Sequence, residues 1–358
     1  MIITIFVFAL ILGVLIFIHE FGHFAMAKKI GVKVEEFGFG LPPRIWGKKV
    51  GDTIYSINWL PIGGFVKLLG EDEENDQTSG IKHQTSDKKR YFWARSKKER
   101  AVILLAGVTM NFLLAVIVIS FIYTQGVATP TKRVHVEKII ANTPAEKAGI
   151  KEQDIIISFA SQSITSTEEL IKVTQENSNK ETPMIIERSG NQLTVSITPR
   201  QNPPKEEGPM GVVISNMEIK KYPVWQAPFY GTIETIKLSY LMITTLALLV
   251  WKLISFQNVG MDVAGPIGIA QATGQAVKYG FMAVLQLMGL LSLNLAIVNI
   301  LPIPALDGGR LLFVFLEKIL GKKVKPQAER VAHQIGMVFL LGLIILVTIN
   351  DIVRLIRG

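Results

Sequence analysis

His19-Glu20-Phe21-Gly22-His23 places two imidazoles four residues apart. On a helix that spacing puts both rings on one face, one turn apart, where they can ligate a single zinc ion. Glu20 stands beside them and can take a proton from water at that metal. With only 5 histidines in 358 residues, the pattern is expected by chance in about 0.4% of chains of this composition, which sets coincidence aside. The motif follows an uncharged run, Ile2 to Ile18, and ionisable groups at such a place are costly unless they pair or hold a metal. Catalytic zinc needs a third protein ligand and an open position. His83, His135 and His333 fall in a loop, a polar middle segment and the start of a later apolar run, so Asp307 is the better candidate. It stands just past an uncharged run, Phe281 to Leu306, where Pro302 and Pro304 break the helix and Gly308-Gly309 admits close backbone approach. A mere helix cap is its competing role. Asn294 and Asn299 lie in the same run and could hydrogen-bond a substrate backbone or an oxyanion, or only link helices.

These residues need apolar elements to position them. The composition is 49% hydrophobic and 19% charged, against about 25% charge in a soluble domain, so much of the surface must face something other than water. The first run continues helically through the motif to Lys28-Lys29 and is long enough to cross a bilayer of roughly 30 Å. It lacks the basic start and small-residue cleavage site of a signal peptide. The pattern predicts four transmembrane helices, at about 2–23, 101–123, 281–306 and 331–350. Leu238 to Trp251 is shorter, lying between Lys237 and Lys252, and predicts an interfacial helix at about 232–254. Parity agrees, because a crossing there would part Asp307 from His19.

Charge orients the chain. Basic residues crowd between Lys28 and Arg100, ending in Lys88, Lys89, Arg90, Arg95, Lys97, Lys98 and Arg100, and mark a cytoplasmic loop. Basic and acidic residues balance between Gln125 and Tyr230, as in a neutral extracytoplasmic domain. The net charge of +9 therefore reads as an orientation signal and gives nucleic acid no role. With no cysteine, disulfides and thiolate metal sites are excluded. Asp52 to Gly70 predicts a β-hairpin turning at Pro61-Ile62-Gly63-Gly64. Thr131 to Arg200 predicts a β-rich domain with a short helix after Thr143-Pro144, a strand at Ile155 to Phe159, a capping box at Ser166-x-x-Glu169 and a hairpin across Ser189-Gly190-Asn191. Its order, with Thr143-Pro144-Ala145-Glu146 at its heart, resembles a bacterial PDZ domain, a module that takes extended peptide on a sheet edge.

Together, the HEFGH motif closing a first span, the Ile62-Gly63-Gly64-Phe65 loop, the PDZ-like insertion and the late NLAIVNILPIPALDGGR segment resemble the site-2 protease family of intramembrane zinc metalloproteases, in its bacterial RseP-like branch. The likeness covers essentially the whole chain. It implies His19, His23 and Asp307 as zinc ligands and Glu20 as general base. It also implies that Asn294, Asn299 and the hairpin around Gly63, Gly64 and Phe65 engage substrate. Longer-known members of that branch carry two tandem PDZ domains, whereas one fits here. The expected fold is an α-helical integral membrane protein with a membrane-associated β-hairpin and an inserted PDZ-like domain. Its divisions are 1–124 and 206–358 as the two halves of a protease core and 125–205 as the insertion. The expected partners are the lipid bilayer, single-pass membrane protein substrates of the anti-sigma factor or remnant signal peptide type, and peptide on the PDZ-like domain. The expected place is the bacterial cytoplasmic membrane, with the active site near its cytoplasmic side. A non-catalytic scaffold would not need Glu20, and a metal transporter would need a second ligand cluster at membrane depth.

Overall fold

The computed structural model describes residues 2–71, 89–204, 207–255, 265–322, 324 and 326–357, which leaves His83 and Lys88 outside. The chain forms two compact units, Met1–Ile122 with Pro223–Gly358, and Tyr123–Tyr222.

The first unit starts with helix α1, Ile2–Ile30. Gly31, at φ +86°, ends it, and the Val32 amide turns back to the Ala27 carbonyl at 2.9 Å. Two long antiparallel strands follow, β1 (Val34–Val50) and β2 (Thr53–Leu68). Their tight turn is at Gly51-Asp52. The hairpin therefore begins well before the expected Asp52, and Pro61-Ile62-Gly63-Gly64 interrupts β2 rather than closing the turn. Residues 36–39 stand in register with both 64–67 and 54–57, and 54–57 pairs again with 46–49, so the two strands fold into a small sheet. The sequence hid β1 because its prolines and basic residues blur the period-2 pattern.

Helix α2 (Lys97–Gln125) leads out of this unit, and Ala227–Ile254 leads back in. The second unit holds β3 (Val127–Ile139), the short α3 (Pro144–Lys147), β4 (Ile155–Phe159), β5 (Gln162–Ser163), α4 (Thr167–Glu176), β6 (Thr182–Arg188), β7 (Asn191–Ile197) and β8 (Val212–Lys220). Its sheet runs β7-β6-β4-β3-β8, with β5 beside β4. Val134, Ile156, Phe159, Leu170, Met184 and Ile186 fill the core. Ser166 Oγ accepts the Glu169 amide to start α4, and Glu169 accepts the Thr165 amide. Arg188 Nε and Nη2 donate to both oxygens of the buried Asp154 at 2.8 and 2.7 Å.

The rest of the first unit is α5 (Ala227–Ile254), α6 (Pro266–Tyr279), α7 (Phe281–Ile300), α8 (Asp307–Leu320) and α9 (Pro326–Arg357). Five helices, α1, α2, α5, α7 and α9, are long and apolar enough to cross a membrane, where four were expected. The difference is α5. It covers the expected 232–254 and starts a turn earlier, and Lys237, which bounds the apolar run, lies within it with its ammonium 3.8 Å from Glu234. Nor does α5 stand apart from the bundle: Gly231 abuts Ser120 of α2, and Leu238 and Met242 pack on Ala115, Leu293 and Ile297. Helix α6, which the sequence reading did not anticipate, starts under Asp351 of α9, whose carboxylate accepts the Gly265 and Gly268 amides at 3.3 and 2.8 Å. At the other end of α2, Arg100 and Glu317 of α8 form a buried ion pair.

Candidate metal centre

Four elements meet at the HEFGH motif: the second half of α1, the middle of α2, the end of α7 and the start of α8. The α1–α2 approach is close because Gly107 faces the two imidazoles. A Cβ there would overlap His23 Nε2 and come within 2.8 Å of His19 Cε1. His19 and His23 are buried, each 6% exposed. His23 Nδ1 donates to the Ile103 carbonyl at 2.8 Å, which leaves Nε2 free of its ring proton and pointing inward.

Asp307 arrives from the break between α7 and α8. Its Oδ2 lies 2.9 Å from His19 Nε2 and 3.2 Å from His23 Nε2, and the two Nε2 atoms are 3.2 Å apart. Tetrahedral zinc with ligands at roughly 2.0–2.1 Å keeps its ligand atoms about 3.3 Å from one another. The three atoms thus span one face of such a tetrahedron, with nitrogen and carboxylate donors of the type zinc takes. Among the described residues this is the one group of three or more metal-binding side chains.

Glu20 is directed toward the same space. Its Oε2 accepts the Val66 amide of β2 at 3.1 Å, so the hairpin holds the carboxylate in place. Glu20, His23, Phe65, Asp307 and Arg310 share a cavity of about 550 Å³ that extends to His333 of α9. Arg310 is in turn paired with Glu71 beyond the hairpin. The loop before Asp307 is held as well: Ala305, at φ +80°, donates its amide to His333 Nδ1 at 2.8 Å.

The residues singled out from sequence divide as follows. His19, Glu20, His23 and Asp307 come together. Asn299 joins them, its Nδ2 3.3 Å from His19 Nε2. Asn294 does not: it is exposed on α7, 140° around the helix from Asn299 at 100° per residue, and does not line the cavity. Gly63 packs on Ile16 and Gly64 lies between Gly38 and Glu20, which brings this part of β2 against α1, and Phe65 lines the cavity. Two residues of α2 escaped the sequence reading. Asn111 is fully buried, 3.3 Å from His19 Nδ1, and Gly107 stands one turn before it. The available signal was an asparagine amid an uncharged span, with a glycine at i−4.

Over residues 7–343 the chain matches the family model described as peptidase family M50. It is similar to the zinc metalloprotease RasP of Oceanobacillus iheyensis, 31% identical over 428 residues that cover 98% of this chain and 99% of that one. It is similar also to the regulator of sigma-W protease RasP of Bacillus subtilis, 30% identical over 423 residues with the same coverage of each. Among solved structures, the PDZ domain of an SdrC-like protein from Listeria monocytogenes matches 25% of the chain and 93% of its own length at 15% identity. Its TM-score of 0.21 is too low to argue from.

Proposed function

The chain belongs to peptidase family M50 and is a zinc metalloprotease, and from that premise we propose that His19, His23 and Asp307 hold the ion and Glu20 is the general base for peptide hydrolysis. The carrying observation is the convergence of the His19, His23 and Asp307 ligand atoms, with Glu20, His23 and Asp307 lining one cavity. When bound, zinc supplies a Lewis acid that polarises the scissile carbonyl and makes water easier to deprotonate. Glu20 takes one proton from water as its oxygen adds to the carbonyl carbon. It returns that proton to the nitrogen as the C–N bond breaks, leaving an amine and a carboxylic acid, which gives its remaining proton to the amine or to water. The Val66 amide fixes the Glu20 carboxylate for both transfers. The nearness of Asn299 Nδ2 to His19 Nε2 supports a role in donating to oxygen at the reacting carbon, whereas the exposed position of Asn294 supports a role for it at most on the outer part of a bound segment.

The substrate class is a single-pass membrane protein, cut within or near its membrane-spanning segment. A helical substrate must give up backbone hydrogen bonds to expose a carbonyl, and the irregular part of β2 around Gly63, Gly64 and Phe65 can replace them by strand addition. The name of the B. subtilis relative, a regulator of sigma-W, supports anti-sigma factors among such substrates. The unit Tyr123–Tyr222 is read as an extracytoplasmic PDZ-like domain that receives peptide and admits substrates already trimmed outside.

Four helices cross the membrane in this reading. Helix α5 begins beside Ser120, and α6 lies with Gly274 against Thr4, at the same end of the bundle. These two approaches support a reading in which α5 does not cross, so that α7 runs in the same sense as α1. Reconstitution with a purified single-span substrate in vesicles, with the cut sites mapped by mass spectrometry, tests the function. Cuts in or beside the spanning segment are expected, and cuts confined to water-exposed tails would refute intramembrane hydrolysis.

A further inference from the structure

Buried asparagine in an apolar helix is expensive unless both halves of its amide are satisfied. Asn111 is 0% exposed, and its Oδ1 has no hydrogen-bond partner among the described residues. Its Nδ2 faces His19 Nδ1 at 3.3 Å. The backbone around it is pinned, since Ser292 Oγ of α7 donates to the Asn111 carbonyl at 2.8 Å.

The two histidines differ in what their outer nitrogens meet. His23 Nδ1 meets a carbonyl, which can only accept, so that ring is held with its proton on Nδ1. His19 Nδ1 meets an amide group, which can either donate or accept after a half-turn about its last bond. His19 Nε2 lies 2.9 Å from Asp307 Oδ2; with the ring proton there it donates to that carboxylate, and Nδ1 is then a lone pair that takes the Asn111 N–H. Once Nε2 faces a metal, the ring proton must sit on Nδ1, and two donors would then oppose each other. The orphaned Oδ1 is the acceptor that this second state requires.

We propose that Asn111 is a positioning residue for the metal centre: its amide holds the His19 ring by donating to Nδ1 in the metal-free protein and, turned over, by accepting from Nδ1–H in the loaded protein. The inference rests on the ligand set proposed above. Asparagine serves here where a carboxylate could only accept and an aliphatic chain could do neither.

The test uses the full chain purified in micelles, with zinc affinity measured by chelator competition. Asn111→Leu removes both functions and is expected to weaken zinc about 10–100-fold, the usual cost of losing a partner behind a ligating histidine. Asn111→Asp keeps an acceptor and is expected to stay within about threefold of the native affinity. A merely structural role would make the aspartate at least as damaging as the leucine, because it places a charge in an apolar span. Native affinity in Asn111→Leu, or an aspartate variant as weak as the leucine one, would overturn the proposal. Should the leucine variant not fold, nitrogen-15 shifts of histidine in the unaltered protein decide. His19 should move from the Nε2–H to the Nδ1–H tautomer on zinc addition while His23 stays Nδ1–H, and a His19 already Nδ1–H without metal would overturn it. His19→Ala separates the two readings: if it leaves zinc content unchanged the ligand set is wrong, and if it abolishes binding while Asn111→Leu binds normally only the positioning role fails.

Discussion

In the proposed ligand set Asp307 supplies the anionic share, since both other ligand atoms belong to imidazoles. Asp307→Asn replaces a carboxylate oxygen with a neutral amide one, and zinc content after dialysis should fall to well below one ion per chain. Retained stoichiometric zinc with normal turnover would reduce Asp307 to a helix cap. Gly107 makes a complementary case, because the added methyl of Gly107→Ala has nowhere to go but into the His23 and His19 rings. Metal affinity should drop at least tenfold while the protein still folds, and chelator competition against the native chain checks it. The convergent group His19, His23 and Asp307 was legible because HExxH and a carboxylate ending an uncharged run are local patterns. Asn111 and Gly107 were not, because their importance comes from which face of α2 meets α1, a contact between residues some 90 positions apart.

At the scale of elements, the second unit offers a pH-sensitive clamp between β4 and β6. Burial alone would raise the Asp154 carboxyl, but its two hydrogen bonds from Arg188, the Lys151 amide and the charge of Arg188 hold it below the ordinary carboxylate range. A depressed native value means that this stabilisation is present above the unfolded-state value of about 4 and is lost as pH falls through the native one. Asp154→Asn should therefore destabilise the unit by about 1–2 kcal/mol at neutral pH and flatten its acid sensitivity below about pH 4. Hydrogen exchange of peptides from residues 123–222 in the full chain measures both, and an unchanged acid profile would exclude Asp154 as its source. Elements with strong local signals, such as the Ser166 cap of α4, could be read from sequence. Helix α5, expected at about 232–254, runs Ala227–Ile254, and Glu234 and Lys237, which flank the apolar run in one dimension, are a helix-surface pair in three. Strand β1 was lost for the opposite reason, its Pro42-Pro43 break masking two strand segments that only pairing with β2 reveals.

For the whole molecule, the native absence of cysteine makes accessibility labelling clean. Single cysteines at the exposed positions Lys180 and Lys278 should label from outside, and one at Lys322 from inside. Inside labelling at position 278 would make α5 a crossing helix and reverse α7, and the proposed orientation of the site would fall. The apolar runs and the basic loop were enough to anticipate a multi-pass chain, but not how 227–265 is accommodated, since length and hydropathy are blind to where a chain turns back. In the proposed mechanism, hydrolysis depends on Glu20 as a base that does not hold the metal. The most direct test measures zinc content and turnover of a single-span substrate in the same preparation of Glu20→Gln. One zinc per chain with turnover reduced by about 10² or more is the expected result. Near-native turnover by that variant would contradict the account.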